Sequence, residues 1–177
     1  MLGLDIREVS LSEIDQLRDI SIQTFVESFA SQNTAENMQK YLENNLSISQ
    51  LTKEITNIHS RFYFALFNGE IIGYLKINYG TAQTDLKTPT SLEIERIYLL
   101  TAMHGKGVGH LMLQKTIQCA RDLKMERVWL GVWEKNYKAI NFYRKNGFEE
   151  FDKHMFKLGD DLQTDIMMFL NLGETST

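Results

Sequence analysis

One proline and one cysteine occur in 177 residues, and each scarcity excludes a class of protein. A lone Cys119 has no partner for an internal disulfide, so the chain is not a disulfide scaffold. The four histidines, at 59, 104, 110 and 154, show no ligand spacing with one another or with Cys119, and no metal site is expected. Cys119 falls on the apolar side of a helical pattern, where a thiol packs as a small hydrophobe. Pro89 stands alone in a polar stretch that reads as a loop. Long apolar runs are missing, so no membrane span is expected. The opening Met-Leu-Gly-Leu-Asp-Ile-Arg-Glu carries acids where a signal peptide is apolar, which points to a cytoplasmic protein. Excess positive charge is also missing: the net charge of −4 argues against nucleic acid and suits a cationic substrate. No repeat, low-complexity segment or linker divides the chain, so one domain over residues 1–172 is expected, with 173–177 a frayed tail.

What is present reads as an α/β pattern. Leu4 to Val9 is a short first strand. Ser12 and Asp15 suggest a capping box for a first helix, Ser12 to Ala30, with Ile14, Leu17, Ile20, Phe25 and Phe29 at helical spacing. Thr34 can cap a second helix carrying Met38, Tyr41 and Leu42. Ser49 can cap a third, with Leu51, Ile55 and Ile58 on one face. Arg61–Phe67 and Glu70–Ile77 flank Asn68-Gly69, a hairpin signal. After the loop Tyr79–Thr90 comes a strand, Ser91 to Leu100. A long helix from Gly107 to Lys124, a strand Arg127–Trp133 and a short helix Asn136–Asn146 stopped by Gly147 follow. Phe148–Leu158 and Thr164–Leu170 are closing strands joined by Gly159-Asp160-Asp161.

The stretch from Leu92 to Gly109 is the most informative. Leu92 and Ile94 lie on even positions, Ile97 and Leu99 on odd ones. A regular strand sends these pairs to opposite faces. A β-bulge near Glu95–Arg96 brings them to one face and splays the strand from a neighbour; the alternative is a fully buried strand with Glu93 and Glu95 at its edge. The strand leads into His104-Gly-Lys-Gly107-Val-Gly109. A glycine-rich turn before a helix suits an anionic pyrophosphate, because ligand and backbone approach closely and the first helical N–H groups have no partners. The spacing is not the dinucleotide fingerprint, since position 112 is Met, and the phosphate loop ending in Gly-Lys-Ser/Thr is absent.

A second motif follows: Asn136-Tyr-Lys-Ala139-Ile-Asn-Phe142-Tyr143-Arg-Lys-Asn-Gly147-Phe148. The two together resemble the GCN5-related N-acetyltransferase (GNAT) superfamily, with His104 where that family favours Gln or Arg. Leu92-Glu-Ile-Glu-Arg-Ile-Tyr98, Trp129-Leu-Gly-Val-Trp-Glu-Lys-Asn136 and Gly159-Asp...Gln163-Thr-Asp165 are similar to the bacterial PaiA-type polyamine N-acetyltransferases, a likeness that covers nearly the whole chain.

The resemblance implies an α/β fold with a mixed, mostly antiparallel central sheet, a splayed strand pair and helices on both faces. It implies acetyl-CoA as acetyl donor, without a metal, and a spermidine- or spermine-like primary amine as acceptor. Backbone groups of Ile97, Tyr98 and Leu99 would pair with the pantetheine arm. The turn His104, Gly105, Lys106, Gly107, Val108, Gly109 and His110 would hold the pyrophosphate, with Lys106 and Lys145 able to add contacts or to stay solvated. Asn136 would meet the cofactor near its sulfur, cap its helix, or both. Tyr143 would be the acid for the leaving thiolate, and the backbone N–H near Leu99 would polarise the carbonyl. A primary amine near pKa 10.4 is almost wholly protonated at pH 7, so a proton acceptor is required. Glu93 and Glu95, on one side of the strand, can serve, or can form an exposed polar edge or an ion pair with Arg96 or Lys76. Trp133 can line the amine slot or belong to the core. Asp160, Asp161 and Asp165, with Glu27 and Glu36, are candidate carboxylates along a polyamine groove. A protein N-terminus, a lysine or an aminoglycoside is the alternative acceptor, and an acetyl-CoA-binding regulator with little catalysis is the alternative of another class. The oligomeric state is open, a homodimer included.

Overall fold

In the computed structural model, which describes residues 3–158 and 161–173, seven strands form one sheet. They are β1 Leu4–Glu8, β2 Ser60–Phe67, β3 Glu70–Tyr79, β4 Ser91–Leu99, β5 Arg127–Trp133, β6 Glu149–Leu158 and β7 Asp161–Asn171. Their order is β1-β2-β3-β4-β5-β7-β6. Every neighbouring pair is antiparallel except β4 and β5, which are parallel. The mixed, mostly antiparallel sheet expected from the sequence is the sheet observed. The β2–β3 turn follows from Asn68-Gly69: both adopt positive φ, 51° and 86°, as a two-residue hairpin turn requires.

Five α-helices cover the two faces: α1 Ile14–Phe29, α2 Ala35–Asn45, α3 Ile48–Ile55, α4 Val108–Asp122 and α5 Tyr137–Lys145. α4 and α5 bury Val108, Met112, Leu113, Cys119, Ala120, Ile140 and Tyr143 against Leu92, Ile94, Val128, Leu130 and Val132. Cys119 is a core residue as expected, its Sγ 3.3 Å from the Tyr63 hydroxyl. The opposite face carries α1, whose Leu17 and Ile20 pack on Phe62, Phe64 and Tyr74. α2 and α3 extend that layer through Phe25, Met38, Leu46 and Leu51.

Local starts differ from expectation in two places. The first capping box is built by Ser10 and Glu13 rather than Ser12 and Asp15, and a 3-10 turn at Leu11–Glu13 precedes α1. The reason is Arg7: its guanidinium takes both Glu13 oxygens, at 2.6 and 3.0 Å, while Glu13 accepts from the Ser10 N–H. That pairing holds the Glu13 carboxyl down at about 2. α3 is capped by Ser47, which accepts from the Gln50 N–H, rather than by Ser49. It ends at Ile55, so Ile58 lies outside it and is exposed. Thr34 caps α2 as expected. β7 is longer than Thr164–Leu170 because it pairs with β5 on one edge and β6 on the other. Asp160 and residues 174–177 lie outside the described residues, as does the Asp161 side chain. No described helix is long and apolar enough to cross a membrane.

Candidate active site

The parity slip in β4 is a bulge at the expected place. Lys76 pairs with Arg96, while the next residue of β3, Ile77, pairs with Ile94, so Glu95 is the extra residue. Leu92, Ile94, Ile97 and Leu99 consequently share the α4 face. The bulge increases local twist, and β4 and β5 part just there. Their last pair is Ile94 with Leu130. Beyond it β4 stays with β3 to Leu99, and β5 stays with β7 to Trp133. Among the described residues, Ile97, Tyr98 and Leu99 therefore have no strand partner on the side of the gap.

At the mouth of the gap stands the glycine turn. Gly105 and Gly107 hold φ of 76° and 80°, a left-handed region where a Cβ is costly. The first hydrogen bond of α4 runs from Leu111 N–H to the Gly107 carbonyl. The N–H groups of Val108, Gly109 and His110 thus have no helical partner. His104 Nε2 donates to the Leu99 carbonyl at 3.2 Å, and its Nδ1 accepts from Lys138 at 3.2 Å. These two bonds tie the turn to both β4 and α5. Gly109 faces Phe142 of α5, where a Cβ would stand 3.6 Å from the ring, in ordinary contact. His110 is held by Asn146 and Gln114. Lys106 and Lys145 are exposed. The sequence reading missed Lys138, which has no motif of its own.

Asn136 caps α5, its Oδ1 accepting from the Ala139 N–H at 3.2 Å. Tyr143 lies one face further in. Its ring is buried among Phe142 and Phe148. Its hydroxyl makes no hydrogen bond with the described residues. Among the described residues no fully buried side-chain oxygen or nitrogen lacks a partner, so this oxygen still reaches the surface. Burial raises the phenol above its ordinary pKa. Tyr98, from the other face of β4, feels the Tyr143 phenol electrostatically.

The two β4 carboxylates are occupied by the protein itself. Glu93 is 3% exposed. It accepts from the Asn78 side chain at 3.0 Å, the Thr84 N–H at 2.9 Å and the Thr84 hydroxyl. Burial pushes its pKa up, against the pull of those donors. It is closed off from the gap, and the expectation that it is a reachable base is corrected. Glu95 meets Lys76 Nζ at 2.5 Å, Asn78 Nδ2 at 2.5 Å and Arg96 at 3.1 Å. Lys76 and Arg96 are themselves buried and also grip Glu54 of α3, at 2.9 and 2.8 Å. The ion-pair reading of Glu95 is the one the structure bears out. Glu54 escaped the sequence reading, because one acid on an amphipathic helix gives no signal of its distant partners.

Across the gap, on the α1 side of the sheet, Trp133 is half-buried and packs toward Phe29, ring centroids 6.4 Å apart. Asp165 is its cross-strand partner. Of the other candidate carboxylates, Glu27 accepts from the Thr101 N–H at 2.7 Å, which lowers its pKa. Glu36 is an exposed partner of Lys40.

A parted parallel strand pair, a left-handed glycine turn and a capped helix carrying an inward tyrosine form one site. The model of the Acetyltransferase (GNAT) family matches residues 14–148. The chain belongs to this family. It is an N-acetyltransferase, as are its relatives. A protein of Lactobacillus delbrueckii subsp. lactis, "Uncharacterized N-acetyltransferase in pepI 3'region", is 39% identical over 168 residues, 95% of this chain and 97% of that one. An "N-alpha-acetyltransferase" of Sulfolobus acidocaldarius is 28% identical over 167 residues, 90% of this chain and 89% of that one. The crystal structure of a PaiA N-acetyltransferase from Thermoplasma acidophilum in complex with coenzyme A superposes with a TM-score of 0.78 at 20% identity, covering 96% of this chain and 99% of that one.

Within this GNAT site, Gly107 is the left-handed residue that caps α4. Gly107→Ala would force a Cβ into the left-handed region at a cost of about 1–2 kcal/mol. The expected outcome is a KM for acetyl-CoA raised about tenfold with kcat little changed, measured by varying acetyl-CoA at saturating amine.

Proposed function

We propose that this GNAT protein moves the acetyl group of acetyl-CoA to a primary amine of a slender polycation of the spermidine or spermine kind, by direct attack with both substrates bound. The acetyltransferase domain is read as residues 1–172. Acetyl-CoA supplies the activated acetyl group. The free edge of β4 at Ile97–Leu99 suits the amides of a pantetheine arm. The left-handed Gly105 and Gly107, with the N–H groups of Val108, Gly109 and His110, suit a pyrophosphate. Asn136 Nδ2 stays able to donate toward the thioester while Oδ1 caps α5. The Tyr143 hydroxyl, unclaimed by the protein, is suited to donate to sulfur as negative charge grows on it.

The observation that carries the acceptor reading is a group of aromatic rings beside a carboxylate. Phe29 packs against Tyr98 and Trp133, and Asp165, the cross-strand partner of Trp133, forms no ion pair with the described residues. An alkylammonium is attracted to both kinds of group. The PaiA name of the structural neighbour agrees with this reading. The relative named N-alpha-acetyltransferase favours a second acceptor, a protein N-terminus.

Steady-state turnover with a panel of spermidine, spermine, simple diamines and short peptides separates the two. The expected result is a kcat/KM for the polyamines at least tenfold above any peptide. Peptides turned over faster would establish the second reading, and trace rates for every amine would remove both.

A further inference from the structure

Asp165 is the carboxylate beside these rings that hydrogen bonds and salt bridges with the described residues leave unused. It makes no hydrogen bond or salt bridge with the described residues. Since no fully buried polar side-chain atom among them lacks a partner, its oxygens open onto the surface. Its position is set by topology. Ile94 and Leu130 are the last β4–β5 pair, and the next residue of β5 is Gly131. Gly131 and Trp133 lie on the α1 side of the sheet, because Val128, Leu130 and Val132 fill the α4 side. Antiparallel partners share a face, which puts Asp165 and Met167 of β7 beside them. A Cβ built on Gly131 would stand 3.4 Å from Asp165 Oδ2 and 3.5 Å from Met167 Sδ. The missing side chain therefore leaves a hollow at the parting of the strands, with the carboxylate on its rim. Gly131 is exposed, so the hollow is open.

We propose that Asp165 receives the ammonium of the acceptor at the parting of β4 and β5 and takes up the proton its nitrogen gives up. This rests on the amine-acetylation reading above and names the proton acceptor that reading needs. In the step, Asp165 Oδ takes one proton from the ammonium and passes it to solvent, which leaves a neutral amine. The lone pair of the nitrogen attacks the acetyl carbon, the C–N bond forms, and the C–S bond breaks with its electron pair going to sulfur. The second proton of the nitrogen goes to Asp165 Oδ and on to solvent. The Tyr143 hydroxyl hydrogen-bonds the thiolate, which takes its proton from solvent.

The charged surroundings fit. Glu95 on β4 is balanced by Lys76 and Arg96. His154 stands across from Asp165 on β6 and its Nδ1 is 3.4 Å from Asp85 Oδ2 of the loop before β4. Lys135 lies over the Trp133 ring, 5.8 Å from its centroid. None of them pairs with Asp165. Burial lifts the Asp165 pKa to about 6, and His154 acts weakly the other way. A carboxylate so raised is a better base than an ordinary one and is still ionised at neutral pH.

The test is Asp165→Asn in the full chain, beside Asp165→Glu, with spermidine as the amine probe. Asp165→Asn is expected to lower kcat/KM for spermidine at least tenfold, with the KM for acetyl-CoA within twofold of wild type. The fall in wild-type kcat below about pH 6 should disappear in the Asn variant. Asp165→Glu should recover part of the rate. The pKa is raised on folding, so the charged carboxylate opposes folding increasingly as pH rises from about 4 through 6. The melting temperature of Asp165→Asn at pH 7.5 should therefore equal or exceed that of wild type, whereas a structural aspartate would lower it on removal. Wild-type kcat/KM and pH profile in the Asn variant would overturn this proposal alone. A wild type that binds CoA in calorimetry and acetylates no amine would overturn the underlying reading as well.

Discussion

Tyr143→Phe is expected to lower kcat about a hundredfold while leaving the fold and the affinity for CoA intact. The ring is buried against Phe142 and Phe148, and phenylalanine keeps those contacts. The hydroxyl makes no hydrogen bond that its loss would break, so the substitution removes little but the donor. Burial raises the phenol above its usual value near 10. It is thus fully protonated at working pH, and a thiolate near 8.5 cannot strip it of its proton at equilibrium. The role that follows is a hydrogen bond to sulfur that strengthens as charge develops. A bond to a charged partner contributes about 1.5–3 kcal/mol, or roughly ten- to a hundredfold or more in rate. Rapid-quench single turnover isolates the chemical step. An unchanged single-turnover rate would remove Tyr143 from the mechanism, and a raised Kd for CoA with unchanged rate would make it a binding residue only.

Glu54→Gln is expected to cost about 3–5 kcal/mol of stability, the range for removing one partner of a buried ion pair. Glu54 on α3 and Glu95 on β4 together balance Lys76 and Arg96, so the cluster is neutral as a set. Without Glu54 it holds one excess positive charge behind the bulge. Burial opposes ionisation of Glu54, yet Arg96 and Lys76 overcome that, and its pKa is lowered overall. The sign follows: its stabilisation is complete above the ordinary carboxylate range and is lost as pH falls through its lower folded value. Urea unfolding at pH 7.5 and at pH 4 measures both parts. Lys76→Met added to Glu54→Gln restores the charge balance and should recover much of the loss. A single variant within 1 kcal/mol of wild type would mean that water enters and screens the cluster. Because Glu95 is the bulge residue, this variant should also loosen the parting of β4 and β5 and raise the KM for acetyl-CoA.

Those two positions differ in how much of them the sequence carried. Tyr143 lies in a motif of fixed spacing whose register on a helix is settled within one turn. Glu54 depends on Arg96, 42 residues away, and no local pattern announces that meeting. The β4 bulge belongs with Tyr143: Leu92, Ile94, Ile97 and Leu99 must all reach one core, and only an extra residue allows it. The capping errors are of the other kind. Ser10 caps in place of Ser12 because Arg7 of the preceding strand recruits Glu13. Ser47 caps α3 in place of Ser49, and Leu46 and Leu51 on either side of it are buried in one cluster, which sets where the helix starts.

The sequence by itself determined the order of strands and helices, the bulge, the glycine turn and the inward tyrosine, because each is set by contacts a few residues apart or by side-chain parity. Only the tertiary structure tells the carboxylates apart. Glu93, Glu95, Glu27, Glu36 and Asp165 are alike in a sequence, all short-chain acids on plausible faces. Their differences come from partners on other elements: Thr84 and Asn78 for Glu93, Lys76 and Arg96 for Glu95, the Thr101 N–H for Glu27. What distinguishes Asp165 is that no such partner stands among the described residues, beside a glycine at the point where two strands separate. A charge's environment is a property of the assembled sheet, and the spacing of residues along the chain does not contain it.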